Sequence, residues 1–418
     1  MSHPPSVDRL ARSQHASGLP HPLLVDVARA RHRAAGEHRL LSNWCALRQR
    51  SMLMPVINAT GVLLHTNLGR ARLVASSRSP TALSSCRSTP GNEAAVKTSI
   101  GSTLAVATGA EAALVVNNGA SAVLLVLAAL ATGTGVAVSR GELVEIGGGF
   151  RVPDVMQQSG ARLVEVGTTN RTRLSDFARA IEHDGVTLTM AIHQSNYQII
   201  GFTESTTVEE LSTLGVPVIA DIGSGLLDSA TPWLDGPPPD WLANEPAAKQ
   251  TLEAGANLVI FSGDKLFGSA QAGIIAGDAD LIERCARHPL ARAVRPGSLV
   301  MQAIQTTTLA YLRRDGNAIA FWRMASLTLD DLRRRAASYG RAAAVTETMA
   351  VPGGGTLPGV GIPSIGLALD GNHLGFLRSL DRPIVARIED GRTILDLRTI
   401  SPNDDAYVAA ALNQLDSQ

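Results

Sequence analysis

The chain has 418 residues, 45% of them hydrophobic, with 39 glycines and 37 basic residues balanced by 37 acidic ones. That length supports two or three domains around one large core. The zero net charge excludes a whole-molecule field that would draw the chain to nucleic acid or to a membrane surface.

Residues 1–52 read as a helical segment. Leu23, Leu24, Val27 and the run 30–34 recur at helical spacing between Pro22 and Gly36. The segment holds eight arginines and five of the ten histidines, against Asp8, Asp26 and Glu37. Its charge is therefore basic although the chain as a whole is neutral. There is no charged-then-apolar leader pattern, and the longest apolar run, 120–131, is too short to span a bilayer. Cys45, Cys86 and Cys285 are scattered and odd in number. They form neither a disulfide framework nor a metal-ligand spacing, which predicts a cytoplasmic protein without a bound metal.

A large α/β region follows, 53–290. Residues 73–103 carry no aromatic and no clear period, and are expected as a loop or a disrupted, disordered segment. Seven β-rich runs then alternate with helical stretches, at 112–116, 135–139, 162–168, 188–193, 216–221, 258–262 and 273–276. This pattern predicts a mostly parallel, doubly wound seven-stranded sheet. The linker between the last two runs is too short for a crossover helix, so the final strand is expected to be antiparallel. Beyond 291, helices are expected at 299–313 and 329–348. A small α+β C-terminal module follows Gly353-Gly354-Gly355, with strands near 364–369, 384–388 and 393–397 and an Asp390-Gly391 hairpin turn. The expected domains are 1–52, 53–290 and 291–418.

The chemistry starts at Ser-Gly-Asp-Lys (262–265), directly after the apolar run 257–261. Lys265 is one of three lysines, with Lys97 and Lys249; every other basic residue is arginine. Arginine cannot act as an amine nucleophile, whereas a desolvated lysine can. This is the requirement for a Schiff base with pyridoxal 5'-phosphate (PLP). That cofactor also needs a carboxylate at its pyridine nitrogen, an anion site for its phosphate, and side chains to orient its ring. Asp221, closing the run 216–221, is the candidate carboxylate. Asn118, Gly119, Ala120 and Ser121, between a strand and an apolar helix, are the candidate phosphate site, to which Ser262 could add a hydroxyl. His193, at another strand end, is the candidate ring contact. Arg70, Arg292 and Arg295 could bind an oxyanion, the last two being spaced to share one helix face.

Taken together, 56–71, 108–118, 139–148, 165–172, 195–203, 262–268 and 387–392 resemble bacterial L-seryl-tRNA(Sec) selenium transferases, the selenocysteine synthases. The resemblance covers most of 53–398, and the start Pro-Ser-Val-Asp-Arg-Leu (5–10) is similar to that family's N-terminal domain. It implies the PLP-dependent transferase fold type I, with a helical N-terminal domain that grips tRNA. It implies conversion of seryl-tRNA(Sec) to selenocysteinyl-tRNA(Sec), by loss of water to a dehydroalanyl-tRNA intermediate and addition of selenium from selenophosphate. In that chemistry Lys265 is the catalytic base, Arg70, Arg292 and Arg295 hold the selenium donor, and the protein works as a large ring-like homo-oligomer such as a decamer. Two alternatives stay open on the residues alone. One is a related PLP-dependent lyase acting on a free amino acid or amino sugar acid; the other is an inactive tRNA-binding homologue, suggested by 73–103.

Overall fold

The computed structural model describes residues 6–33, 41–73, 93–143, 145–146, 150–340 and 343–416. The chain divides into two units, residues 1–57 with 374–385, and residues 58–373 with 386–418.

In the first unit the expected helices are present. They are α1 (Val7–Arg12), α2 (His21–Arg33) and α3 (Leu41–Arg50). The Ser6 hydroxyl caps α1 by accepting the Arg9 N–H at 3.3 Å. Pro22 sits in the first turn of α2, where its missing N–H costs nothing. Leu24, Val27 and Ala28 form one stripe of α2, and they pack with Ala11, Leu19, Leu41 and Cys45 into a small separate core.

The second unit is built on a seven-stranded sheet. Its strands are β1 (Ala112–Val116), β2 (Gly135–Ser139), β3 (Arg162–Val166), β4 (Val186–Ile192), β5 (Val218–Gly223), β6 (Leu258–Ser262) and β7 (Gly273–Gly277). The spatial order is β1-β7-β6-β5-β4-β2-β3. Every neighbouring pair from β6 to β3 is parallel. Strand β7 runs antiparallel to both β6 and β1, as the short linker required. Six carboxyl ends therefore share one edge of the sheet.

Alternate residues of the central strands feed two different cores. Val259 and Phe261 of β6 join one, while Leu258 and Ile260 join the other. Ile100 and Leu104 of α4 (Glu93–Thr108) cover the first core, with Ile304 and Tyr311 of α8 (Ser298–Leu312). The second is covered by Leu125 and Leu127 of α5 (Gly119–Leu130), with Ile282 and Cys285 of α6 (Ala279–Arg287). Both faces are dry, which explains why these strands read as unbroken apolar runs.

A smaller five-stranded sheet holds β8 (Ala344–Gly353), β9 (Ile362–Asp370), β10 (Arg387–Glu389) and β11 (Arg392–Asp396). Its order is β10-β11-β9-β8 followed by the short strand Val62–Leu64. The Asp390-Gly391 turn joins β10 to β11 with both residues at positive φ, 49° and 75°, the conformation a two-residue hairpin needs.

Four expectations are corrected. Residues 74–92 lie outside the described residues, but 93–103, expected as loop, belong to α4. That helix is mostly Ala, Ser, Thr and Gly, so its periodicity is weak; the core contacts of Ile100 and Leu104 hold it. The helix expected over 329–348 stops early: α9 covers Leu329–Ala337, and 344–348 begins β8. Gly340, at φ +74°, ends the helical path, and the β-branched Val345, Thr346 and Thr348 pair with β9 instead. The run 384–388 is not one strand, because Ile384–Val385 and Arg387–Glu389 belong to different sheets. Finally, Arg292 and Arg295 do not share a helix face. Helix α7 spans only Leu290–Ala293, and Pro296 disfavours helical backbone at Arg295.

Candidate active site

The shared carboxyl edge of β1, β4, β5 and β6 frames a cavity of about 250 Å³. Lys265 enters it from the turn after β6. That turn is fixed by backbone bonds: Gly263 N–H donates to Ala272 O at 2.8 Å, and Leu266 N–H donates to Ser224 O at 2.8 Å. Behind it, the Tyr311 hydroxyl of α8 lies 3.1 Å from both the Leu266 and Phe267 carbonyls and donates to them. Lys265 is only 4% exposed. Burial pushes its ammonium pKa down, and the Asp221 carboxylate opposes that shift.

Asp221 faces the same cavity from the end of β5. Loss of hydration pushes its carboxyl up to about 6, partly offset by Lys265 and by the Gly223 N–H, which donates to Oδ1 at 3.1 Å. Lys265 and Asp221 thus each support the charged form of the other in a site that penalises both.

The third corner is the start of α5. Asn118 caps the helix, its Oδ1 accepting the Ser121 N–H at 2.8 Å. Asn118, Gly119, Ala120 and Ser262 line the cavity, while Ser121 does not, its N–H being taken by the cap. A Cβ at Gly119 would stand 3.0 Å from Ser262 Oγ, so the absent side chain leaves a hollow between a helix N-terminus and a hydroxyl. That is a place for an anion.

His193 also lines the cavity, held by its N–H to Asp221 O at 2.9 Å. Arg70 lines it at positive φ, 54°, with Nη1 3.3 Å from Asp264 Oδ2. Arg292 and Arg295 are not among the lining residues. Their segment is tied to the cavity rim, because Asn117 N–H donates to Val294 O at 2.9 Å.

Several lining residues had escaped sequence reasoning: Asp264, Ser195, Gly223 and Gln271. Gly355 belongs with them. At φ +83°, any Cβ there would come within 3.6 Å of Lys265 Nζ. The triple glycine at 353–355 was a usable signal for close backbone approach. A second, larger cavity of about 690 Å³ shares Ile192, His193 and Asp221 with the first, and adds Thr168, Tyr197 and Glu245. Among the described residues no cluster of three or more His, Cys, Asp or Glu could hold a metal ion, and no helix is long and apolar enough to cross a membrane.

A desolvated amine, an acid opposite it and an anion hollow at a helix start meet the demands of PLP in one cavity. Comparison with known proteins decides the family. The profile described as L-seryl-tRNA selenium transferase matches residues 56–401. The chain belongs to the L-seryl-tRNA selenium transferase family.

Relatives of this selenium transferase family match over nearly the whole chain. The L-seryl-tRNA(Sec) selenium transferase of Alkaliphilus metalliredigens is 41% identical, over 86% of this chain and 81% of its own. That of Serratia proteamaculans is 39% identical and covers 97% of both chains, so the match extends into the N-terminal helices. Among solved structures, a D-glucosaminate-6-phosphate ammonia-lyase superposes with a TM-score of 0.62 at 20% identity, over 88% of this chain and 97% of its own. At that identity it reports the shared fold.

Proposed function

We propose that this chain converts L-seryl-tRNA(Sec) to selenocysteinyl-tRNA(Sec) with PLP as cofactor and selenophosphate as selenium donor. The observation that carries the reading is the buried Lys265 facing Asp221 across a cavity with an anion hollow, in a chain that matches this family over 56–401. When bound, PLP supplies an electron sink for the bond that breaks at the serine Cα.

The chain's own residues do the rest. The Gly119 and Ala120 N–H groups and the Ser262 hydroxyl would hold the cofactor phosphate at the start of α5. Asp221 would keep a proton on the pyridine nitrogen, and His193 would contact the ring. Lys265 would anchor the cofactor, and its Nζ would take the Cα proton; its lowered pKa favours the unprotonated amine that this needs. Arg70 presents a guanidinium to the donor's oxyanion, held in place by Asp264. Arg292 and Arg295, on the segment tied to the rim, add to that site. The larger neighbouring cavity gives the aminoacyl end of the tRNA room next to His193 and Asp221. The serine carboxyl is an ester, so no arginine is needed to clamp a free carboxylate. Basic residues of 1–52 bind tRNA phosphates. The protein assembles as a ring-like homo-oligomer.

A lyase acting on a free amino acid or amino sugar acid is not favoured, because full-length relatives carry the transferase name. The test is a spectrum and a turnover assay. Wild-type protein loaded with PLP should show the visible band of a lysine-bound pyridoxal and convert seryl-tRNA in the presence of selenophosphate. Lys265→Ala should lose both while keeping its far-UV circular dichroism. An unchanged visible band in Lys265→Ala would rule out the cofactor assignment.

A further inference from the structure

Glu245 is a buried acid to which the mechanism above gives no task. It lies just beyond the helical turn Asp240–Leu242, and its side chain is only 2% exposed. Its Oε2 stands 3.4 Å from His193 Nε2. Neither His193 Nε2 nor Glu245 Oε1 has a hydrogen-bond partner among the described residues. A buried carboxylate whose one oxygen lacks a partner, and whose other oxygen lies beside an unpartnered imidazole nitrogen, incurs desolvation that a bond between the two groups offsets. The separation is within a small ring rotation of a hydrogen bond.

The surroundings limit what else could serve. The His193 charge acts weakly on Asp221 of β5, and the Glu245 charge weakly on Lys265 after β6. Glu142, after β2, is engaged by the Ile192 N–H at 2.9 Å, and the Tyr197 hydroxyl donates to Gly141 O at 2.6 Å.

We propose that Glu245 is a positioning residue for His193. Its carboxylate accepts the Nε2–H, fixes that tautomer, and holds the imidazole against the cavity in which the pyridine ring sits. What the held ring does rests on the PLP reading; the hydrogen bond itself does not. The pair joins residues far apart in sequence, and it makes His193 a rigid wall of the cavity.

The test uses full-length protein with 15N-labelled histidine, observed by magic-angle-spinning NMR, with His193 assigned from its loss in His193→Gln. Wild-type apoprotein should show the Nε2–H form. Glu245→Gln should keep it, since an amide oxygen accepts the same bond, and Glu245→Leu should lose the downfield-shifted Nε2–H proton signal of a hydrogen bond to a carboxylate. With PLP added, the Kd should weaken about tenfold in Glu245→Leu and less than about threefold in Glu245→Gln. The Nδ1–H form in wild type, or an unchanged Nε2–H signal and Kd in Glu245→Leu, overturns the proposal. If the leucine variant does not fold, a wild-type Nε2–H proton without the downfield shift of a hydrogen bond overturns it equally. A hydrogen-bonded Nε2–H signal in protein that never binds PLP would sink the cofactor reading while establishing the Glu245–His193 bond.

Discussion

Lys265 and Asp221 show how burial and charge compete at single side chains. Desolvation penalises both ions, and each is the main charge that relieves the other. The consequence for stability has a definite sign. The Asp221 carboxyl rises from 3.8 to about 6 on folding, so between those values the folded apoprotein binds the proton that the unfolded chain has released. Its contribution is complete below the lower value and is lost as pH rises through the upper one. Comparing urea unfolding of apoprotein at about pH 4 and about pH 7, wild type should lose about 2 kcal/mol relative to Asp221→Asn. Parallel pH curves for the two proteins would mean the carboxyl is not held in a desolvated site. Asp8, Asp228 and Asp331 have lowered values and slope the other way, and they cancel in this difference.

Strand β6 links the fold to the chemistry. Leu258 through Phe261 are fully buried, and they alternate between the two cores. Phe261 packs against Phe267 with ring centroids 5.9 Å apart, bracketing the turn that carries Lys265. Phe261→Ala should therefore cost about 3–5 kcal/mol in unfolding free energy. In protein that remains folded it should also weaken PLP binding, because the turn loses its backing; a variant with reduced stability but wild-type PLP affinity would show that Lys265 is held by the backbone alone. The short α7 makes the converse point. Two arginines three apart in sequence promised a shared face, but Pro296 stopped the helix at Ala293.

For the molecule as a whole, the small core of α1–α3 is a cluster distinct from those of the large sheet. Removing residues 1–52 should therefore leave the visible band of the lysine-bound cofactor intact. Turnover of seryl-tRNA should drop at least about 100-fold, and tRNA affinity should lose most of its salt dependence. A truncated protein that still converts seryl-tRNA at the full rate would remove the tRNA-binding role from the N-terminal helices. Much of this organisation was legible beforehand. Lys265, Asp221, His193 and the turn 118–120 each lie at the carboxyl end of an apolar run, and strands buried on both faces announce themselves by composition. The reversal of β7 followed from linker length. By itself, then, the sequence determined the central sheet, the strand ends where ligands collect, and the likeness to the family. Tertiary structure alone decided that α4 is a helix and β8 a strand, that Asp264 steadies Arg70, and that Gly355 and Glu245 reach Lys265 and His193. The reason is physical: a local pattern records which face of an element leaves water, but not which distant segment comes to cover it.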